Sequence, residues 1–126
     1  LQFHGREPPD YCRCFALPVI KALRVGHTAV DELDRAGAYQ VPYLLVDTLV
    51  GDRPGGTGRT FDWSVLASRA FSQPLILAGG LDPGNVRRAI TTVRPFGVDV
   101  STGVETGGRK DPLKIRSFVR LAKEAV

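Results

Sequence analysis

Short apolar runs and helix-like runs alternate from one end of this chain to the other, and that alternation limits the fold more than any single residue does. Strands are expected at residues 1–4, 19–25, 43–49, 75–78 and 98–101. Helices are expected at residues 9–16, 29–36, 63–70, 83–93 and 112–124. The last helix has Asp111 as N-cap, and Leu113, Ile115, Phe118, Val119 and Ala122 cover one broad face. The strand-like runs are short and apolar, as in a parallel sheet covered by helices. Their spacing of about 25 residues is that of βα units, so the fold class is α/β. No linker or low-complexity segment divides the 126 residues, which form one domain. Five units do not close a barrel, because eight strands at this spacing need roughly 200 residues. An open doubly wound sheet fits the length. Against it, no Gly-x-Gly-x-x-Gly follows the first strand, and the glycine-rich turns sit on the last two strands.

The first of those turns lies in Pro74-Leu-Ile-Leu-Ala-Gly-Gly80-Leu-Asp-Pro-Gly-Asn-Val86. A strand ends in a glycine pair, Asp82 is a good N-cap and Pro83 a good first helical residue. Glycines there let an anion approach free backbone N–H groups. A second such ending follows in Gly97-Val-Asp-Val-Ser-Thr-Gly-Val-Glu105. Two neighbouring strand ends that favour an anion suggest a phosphate clamp, which in β/α barrels commonly lies after strands seven and eight.

Net charge is +4 and the pI about 9.4, but the basic residues are scattered, with Arg87-Arg88 and Arg109-Lys110 the only adjacent pairs. That pattern points to a small phosphorylated ligand rather than to nucleic acid. With 43% hydrophobic and 24% charged residues the composition is that of an ordinary globular protein, and no apolar run nears the ~18 residues that span a membrane. Cys12 and Cys14, two apart in a helix-like segment, point to different faces and have no partner set for zinc, so no metal is expected and a reducing cytoplasm is the plain reading. The chain opens on Leu1 rather than Met, and Leu1-Gln-Phe-His-Gly5 reads as strand interior, so the native N-terminus is expected to lie upstream.

Polar groups interrupt every strand-like run except residues 75–78. Gln2 and His4 share a face, Lys21 sits within Val19-Ile-Lys-Ala22, Asp47 ends Leu44-Leu-Val-Asp47, and Asp99 shares a face with Ser101. Buried charges are costly unless paired or used. One reading is a structural network in which Lys21 is balanced by Asp47 or Asp99. The other is a site, favoured for Asp47 because the C-terminal ends of barrel strands carry active sites. His4 near a strand end fits a hydrogen-bonded structural residue as well as a ligand contact. His27 is expected to be exposed, and Glu105 to pair with Lys110 or Arg109. The segment Pro54-Gly-Gly-Thr-Gly-Arg-Thr60 fails the P-loop pattern, with Arg59 in place of the Lys and Arg53 in place of the first Gly. A flap over the site, residues 51–60, is the better reading.

Taken together, five segments closely resemble the phosphoribosylanthranilate isomerase family of tryptophan biosynthesis, in the family's order. They are Leu1-Gln-Phe-His-Gly5; Val19-Ile-Lys-Ala22; Leu45-Val-Asp47 with Gly55-Gly-Thr-Gly58 and Phe61-Asp-Trp63; Leu75-Ile-Leu-Ala-Gly-Gly-Leu81; and Val98-Asp-Val-Ser-Thr-Gly-Val-Glu105. Thr102 stands where a Ser is more usual. The resemblance implies a (β/α)8 TIM barrel of which this chain is the C-terminal portion, the units of strands four to eight. It also implies an aldose–ketose isomerase: the Amadori rearrangement of N-(5'-phosphoribosyl)anthranilate to the 1-deoxyribulose 5-phosphate derivative, without cofactor or metal. The family's general acid, which protonates the ribose ring oxygen, maps onto Asp47. Substrate contacts are expected from Gln2, His4, Lys21, Gly56, Thr57, Gly58 and Asp99. The phosphate site maps onto Gly79, Gly80, Leu81, Ser101, Thr102 and Gly103.

The family's general base is a Cys in a Lys-Ile-Cys-Gly motif at the end of strand one, and an Arg after strand two also contributes. Neither is in this sequence, and Cys12 and Cys14 cannot be carried over. Little catalysis is expected from this chain alone. It would have open sheet edges that invite either the missing N-terminal segment or self-association. Two other readings are a non-catalytic phosphate-binding half-barrel and another phosphosugar isomerase, such as the ribonucleotide isomerase of histidine synthesis. The run from Gly55 through Trp63 argues against the latter.

Overall fold

The computed structural model describes residues 1–26, 30–48 and 62–126. Five parallel strands form one sheet: β1 (Gln2–Phe3), β2 (Ile20–Val25), β3 (Tyr43–Thr48), β4 (Leu75–Ala78) and β5 (Gly97–Val98). Their spatial order is their chain order, each pairing with the next. A doubly wound sheet reverses its strand order at a switch point. No reversal occurs here, so the length-based alternative falls and the winding is that of a partial (β/α)8 barrel. Helices α1 (Pro9–Cys12), α2 (Val30–Asp34), α3 (Ser64–Ala67), α4 (Val86–Val93) and α5 (Pro112–Lys123) follow the strands.

The two faces of the sheet differ as period-two geometry requires. Leu23, Val25, Leu44, Val46, Leu75 and Leu77 pack with Cys12, Leu33, Leu66, Val86, Ala89 and Phe118 from the helices in one core. Leu44, Val46 and Leu77 are wholly buried there. At about 25 cal/mol per Å² of apolar surface, this layer is the main source of stability. On the other face only Ala22, Leu45 and Ala78 form a small cluster, flanked by Ile20 and Ile76. That face is the concave interior of the incomplete barrel.

Several boundaries are tighter than the sequence suggests. The segment expected as a helix over 9–16 stops at Cys12, leaving Cys12 buried and Cys14 exposed, both as free thiols. The second helix gives way to a 3₁₀ turn at Ala36–Ala38, and the third spans only Ser64–Ala67. The strand expected at 98–101 pairs only at Gly97–Val98, because the chain leaves the ladder to form the turn at Ser101. Asp82 accepts from the N–H groups of Gly84 and Asn85, but regular helix begins only at Val86. Asp82 therefore caps a turn that leads into α4, and Pro83 lies in that turn. Asp111 caps α5 as expected, accepting from Leu113 and Lys114 at 2.9 and 3.3 Å.

A hairpin of β6 (Glu105–Thr106) and β7 (Arg109–Lys110) was not anticipated. Its signal was in the sequence. Gly107 and Gly108 both have positive φ, 58° and 74°, as a two-residue hairpin turn demands. His27 and the expected flap at residues 51–60 lie outside the described residues.

Candidate active site

A cleft of about 420 Å³ opens on the concave face at the C-terminal ends of the strands. Its walls follow from strand parity. The register pairs Ala22 with Leu45, Arg24 with Asp47, and Asp47 with Ala78, which puts Arg24 and Asp47 on the concave side with the small cluster below them. Gln2 and His4 enter from β1 and the residue after it, while Asp99 and Ser101 enter from the segment after β5. Gly79, Gly80, Leu81, Thr102 and Gly103 complete the wall.

The glycine positions are dictated by backbone contact. Gly79 has φ +89°, and a Cβ there would lie 2.2 Å from the Thr48 carbonyl oxygen and 2.7 Å from Asp47 Oδ1. The Thr48 hydroxyl donates to the carbonyls of Ala78 and Gly79, both at 3.0 Å, lashing the ends of β3 and β4 together. Asp47 is thereby held against the start of the glycine turn. A Cβ on Gly103 would come 1.8 Å from the Leu81 carbonyl oxygen, so the turns after β4 and β5 touch backbone to backbone. Only glycine permits that approach.

The two turns have the chemistry of an anion cradle. Among the described residues, the backbone N–H groups of Gly80, Leu81, Thr102 and Gly103 donate no hydrogen bond. Asn85 shapes the first turn: its Nδ2 donates to the Gly80 carbonyl at 2.8 Å and its Oδ1 accepts from Asp82 N–H at 2.9 Å. Lys110 reinforces the second, donating from Nζ to the Ser101 carbonyl at 2.8 Å and to Glu105 at 2.7 Å. The expected Glu105–Lys110 pair is therefore present, and it brings a cation beside the cradle. Asn85 was not singled out from sequence; its only signal was its place three residues after Asp82.

Of the site residues expected from sequence, Gln2, His4, Asp47, Gly79, Gly80, Leu81, Asp99, Ser101, Thr102 and Gly103 all border this one cleft. Gly56, Thr57 and Gly58 lie outside the described residues. Lys21 is the exception and requires correction. It pairs in register with Leu44, on the helix-covered side of β2, and its side chain is only 2% exposed. Its ammonium donates at 2.7 Å to both Glu7 Oε2 and the Gly5 carbonyl. Neither Asp47 nor Asp99 balances it, because both stand on the opposite side of the sheet. Being next to Ala22, which faces the cleft, forces Lys21 to face away. Arg24, missed by the sequence reading, takes the cleft position instead, and among the described residues its guanidinium has no hydrogen-bond or ion-pair partner. Alternation counted from Ala22 would have found it.

No group of three His, Cys, Asp or Glu side chains suited to a metal occurs among the described residues, and none of their helices is long and apolar enough to cross a membrane. The cleft brings together the carboxylates of Asp47 and Asp99, the Arg24 guanidinium from the strand position beside Asp47, the His4 imidazole and the two glycine turns.

Comparison with known proteins gives the same answer as the geometry. Residues 1–121 match the family model of N-(5'-phosphoribosyl)anthranilate (PRA) isomerase. The chain is 65% identical over its full length to an N-(5'-phosphoribosyl)anthranilate isomerase of Desulforudis audaxviator, covering 62% of that protein. It is 48% identical to the Geobacter sulfurreducens protein of the same name, over 98% of this chain and 60% of that one. A solved phosphoribosylanthranilate isomerase from Thermotoga maritima superposes with TM-score 0.82 at 45% identity, over 98% of this chain and 60% of its own. Another, in complex with reduced 1-(o-carboxyphenylamino)-1-deoxyribulose 5-phosphate, superposes with TM-score 0.75 at 40% identity, over 98% of this chain and 58% of its own. The chain thus spans about three-fifths of the length of the relatives it matches. Sequence, winding and cleft agree that the chain belongs to the N-(5'-phosphoribosyl)anthranilate isomerase family.

Proposed function

We propose that this chain carries the general acid and the phosphate site of a phosphoribosylanthranilate isomerase, as the last five of its eight βα units. The observation that carries the reading is the shared cleft: Asp47 and the two glycine turns border the same space. The substrate's 5'-phosphate sits on the backbone N–H groups of Gly80, Leu81, Thr102 and Gly103, with Gly79 and Ser101 shaping the turns. The sugar then extends toward Asp47. The Asp47 carboxyl gives its proton to the ribose ring oxygen, the C1'–O bond breaks, and the anilino nitrogen's lone pair forms the C=N bond of the opened sugar. Removal of the C2' proton by a general base then gives the enolamine, which tautomerises to the ketose. The resemblance assigns that base to a Cys on units beyond this chain. His4, Gln2 and Asp99 hold the sugar hydroxyls and the aromatic amine. Gly56, Thr57 and Gly58 are proposed to add substrate contacts. No cofactor or metal has a step in this scheme, and the setting is the cytoplasm.

Two open edges support the reading that the barrel is completed by other units. Neither β1 nor β5 pairs on its outer side among the described residues. Tyr11, Phe15 and Leu17 lie exposed by β1, where the rings of Phe3, Tyr11 and Phe15 pack in tilted and edge-to-face contacts with centroids 5.1 to 5.6 Å apart. Leu113, Ile115 and Val119 are exposed on α5. Such apolar surface at both ends of an open sheet suits three further βα units, and equally marks where self-association would occur. The test is complementation. Co-expressed with the first three units of a relative, this chain should convert N-(5'-phosphoribosyl)anthranilate, and alone it should not. A complemented barrel that binds the phosphorylated substrate without turning it over would instead favour a non-catalytic binding module.

A further inference from the structure

The Lys21–Glu7 pair has no part in the scheme above, yet it lies directly behind the cleft. Lys21 is a buried lysine with a single charged partner, an arrangement that is costly unless its geometry is good and its remaining donors are satisfied. Here both conditions are met, and the contacts converge on one residue. Glu7 accepts from Gly5 N–H with both carboxylate oxygens, at 3.0 and 3.2 Å. Lys21 Nζ donates to the Gly5 carbonyl at 2.7 Å and to Glu7 at 2.7 Å. The Tyr39 hydroxyl donates to the Glu7 carbonyl at 3.1 Å, and its ring lies 5.5 Å from Lys21 Nζ. Both backbone groups of Gly5 are therefore gripped from the helix-covered side of the sheet. Gly5 is the residue after His4, and β1 itself is only two residues long, too short to fix its own end.

We infer that Lys21 and Glu7 are positioning residues, which lock the turn at Gly5 from behind the sheet and so set where His4 and Gln2 stand in the cleft. The inference uses the proposed function only in taking that cleft as the substrate's place. Lys21 acts through Gly5 and does not reach the ligand. The hydrogen bond from Lys21 is also the first cause of a Glu7 carboxyl held below its usual range, consistent with a carboxylate that stays ionised at neutral pH.

The test compares wild type with Lys21→Met/Glu7→Gln, which removes both charges at near-constant volume and is a swap that buried pairs often tolerate. Two measurements need no activity: the His4 imidazole resonance and hydrogen exchange at the Gly5 amide, both by NMR on the chain. The His4 signal should move and Gly5 exchange should rise at least roughly tenfold, as expected for a locally opened turn. In the complemented barrel, kcat/KM should fall about ten- to hundredfold, the size of a small misplacement of a contacting group. Lys21→Arg, which keeps charge and donors, should restore most of it. An unmoved His4 signal with unchanged Gly5 exchange overturns the inference, as does an active complemented barrel whose kcat/KM is unchanged in the double variant. If the NMR changes occur but the complemented wild type is inactive, the lock stands and the functional reading fails. Should the double variant not fold, Glu7→Gln alone is read by the same signals: smaller shifts in the same direction support the lock, and none refutes it.

Discussion

Lys21 and Asp47 are charged residues on adjacent strands, and they face opposite sides of one sheet. On the helix-covered side the charge of Lys21 is neutralised by the chain itself. Lys21 finds Glu7, Gly5 and the ring of Tyr39, brought together from two separate segments of the chain. On the concave side Asp47, Asp99, His4 and Arg24 border an open cleft, and none of their side chains forms an ion pair with another described residue. The covered face thus closes its buried charge within the chain, whereas the concave face presents its charged groups to an open cleft.

The sharpest way to break that contrast is to remove the cleft carboxylate. In the complemented barrel, Asp47→Ala should lower kcat by about 10²–10⁴-fold, the usual worth of general acid catalysis, with substrate affinity nearly intact. Steady-state kinetics with a direct binding titration decides it, and unchanged turnover removes Asp47 from the acid's role. On the covered face, Leu77→Ala should cost about 2–5 kcal/mol in urea unfolding, because Leu77 is fully buried between the sheet and its helices. A cost below 1 kcal/mol would mean that this layer is not the core. Between the faces, Gly103→Ala should cost about 1–3 kcal/mol, since its new methyl would have to displace the backbone of Leu81. It should weaken binding of inorganic phosphate or substrate more than it weakens the fold, and equal affinity would show that the two turns do not form the cradle.

The pair behind the sheet predicts a smaller, pH-dependent effect. Glu7 has its pKa lowered on folding, first by its hydrogen bond from Lys21. Its contribution is therefore complete above the ordinary glutamate pKa of about 4.3 and is lost as pH falls through the lower native value. Thermal melts from neutral pH down to about pH 3 should show a loss that Glu7→Gln removes. Identical pH profiles would contradict the pairing. The smallest effect is expected at Asp111→Ala. That carboxyl is held below its usual range, chiefly by the Thr106 hydroxyl and then by the capped amides, and its loss should lower the melting temperature slightly without touching the cleft.

Period-two patterning makes the five strands readable from sequence, because burial alternates along each one. The apolar face expected on α5 is buried only at Phe118, while Leu113, Ile115 and Val119 are exposed. The glycine turn after β4 is readable too, since positive φ at Gly79 and Gly80 is a demand that few other residues meet. Where the reading failed, it failed on partners. An isolated lysine in an apolar strand looks functional from sequence alone, and nothing local says that Glu7 will fold back to meet Lys21. Arg24 was passed over although alternation from Ala22 puts it on the cleft side.

The sequence by itself thus determined the alternation of elements, the two glycine-bearing strand ends, the capping of α5 and the family. Only the tertiary structure decided that the strands run in chain order without reversal, that Asp47 and both turns border one cleft, and that Lys21 belongs to the opposite face. The physical reason is range. Propensity, capping and turn chemistry act over a few residues, whereas strand order and charge pairing depend on which distant segments meet once the core has closed.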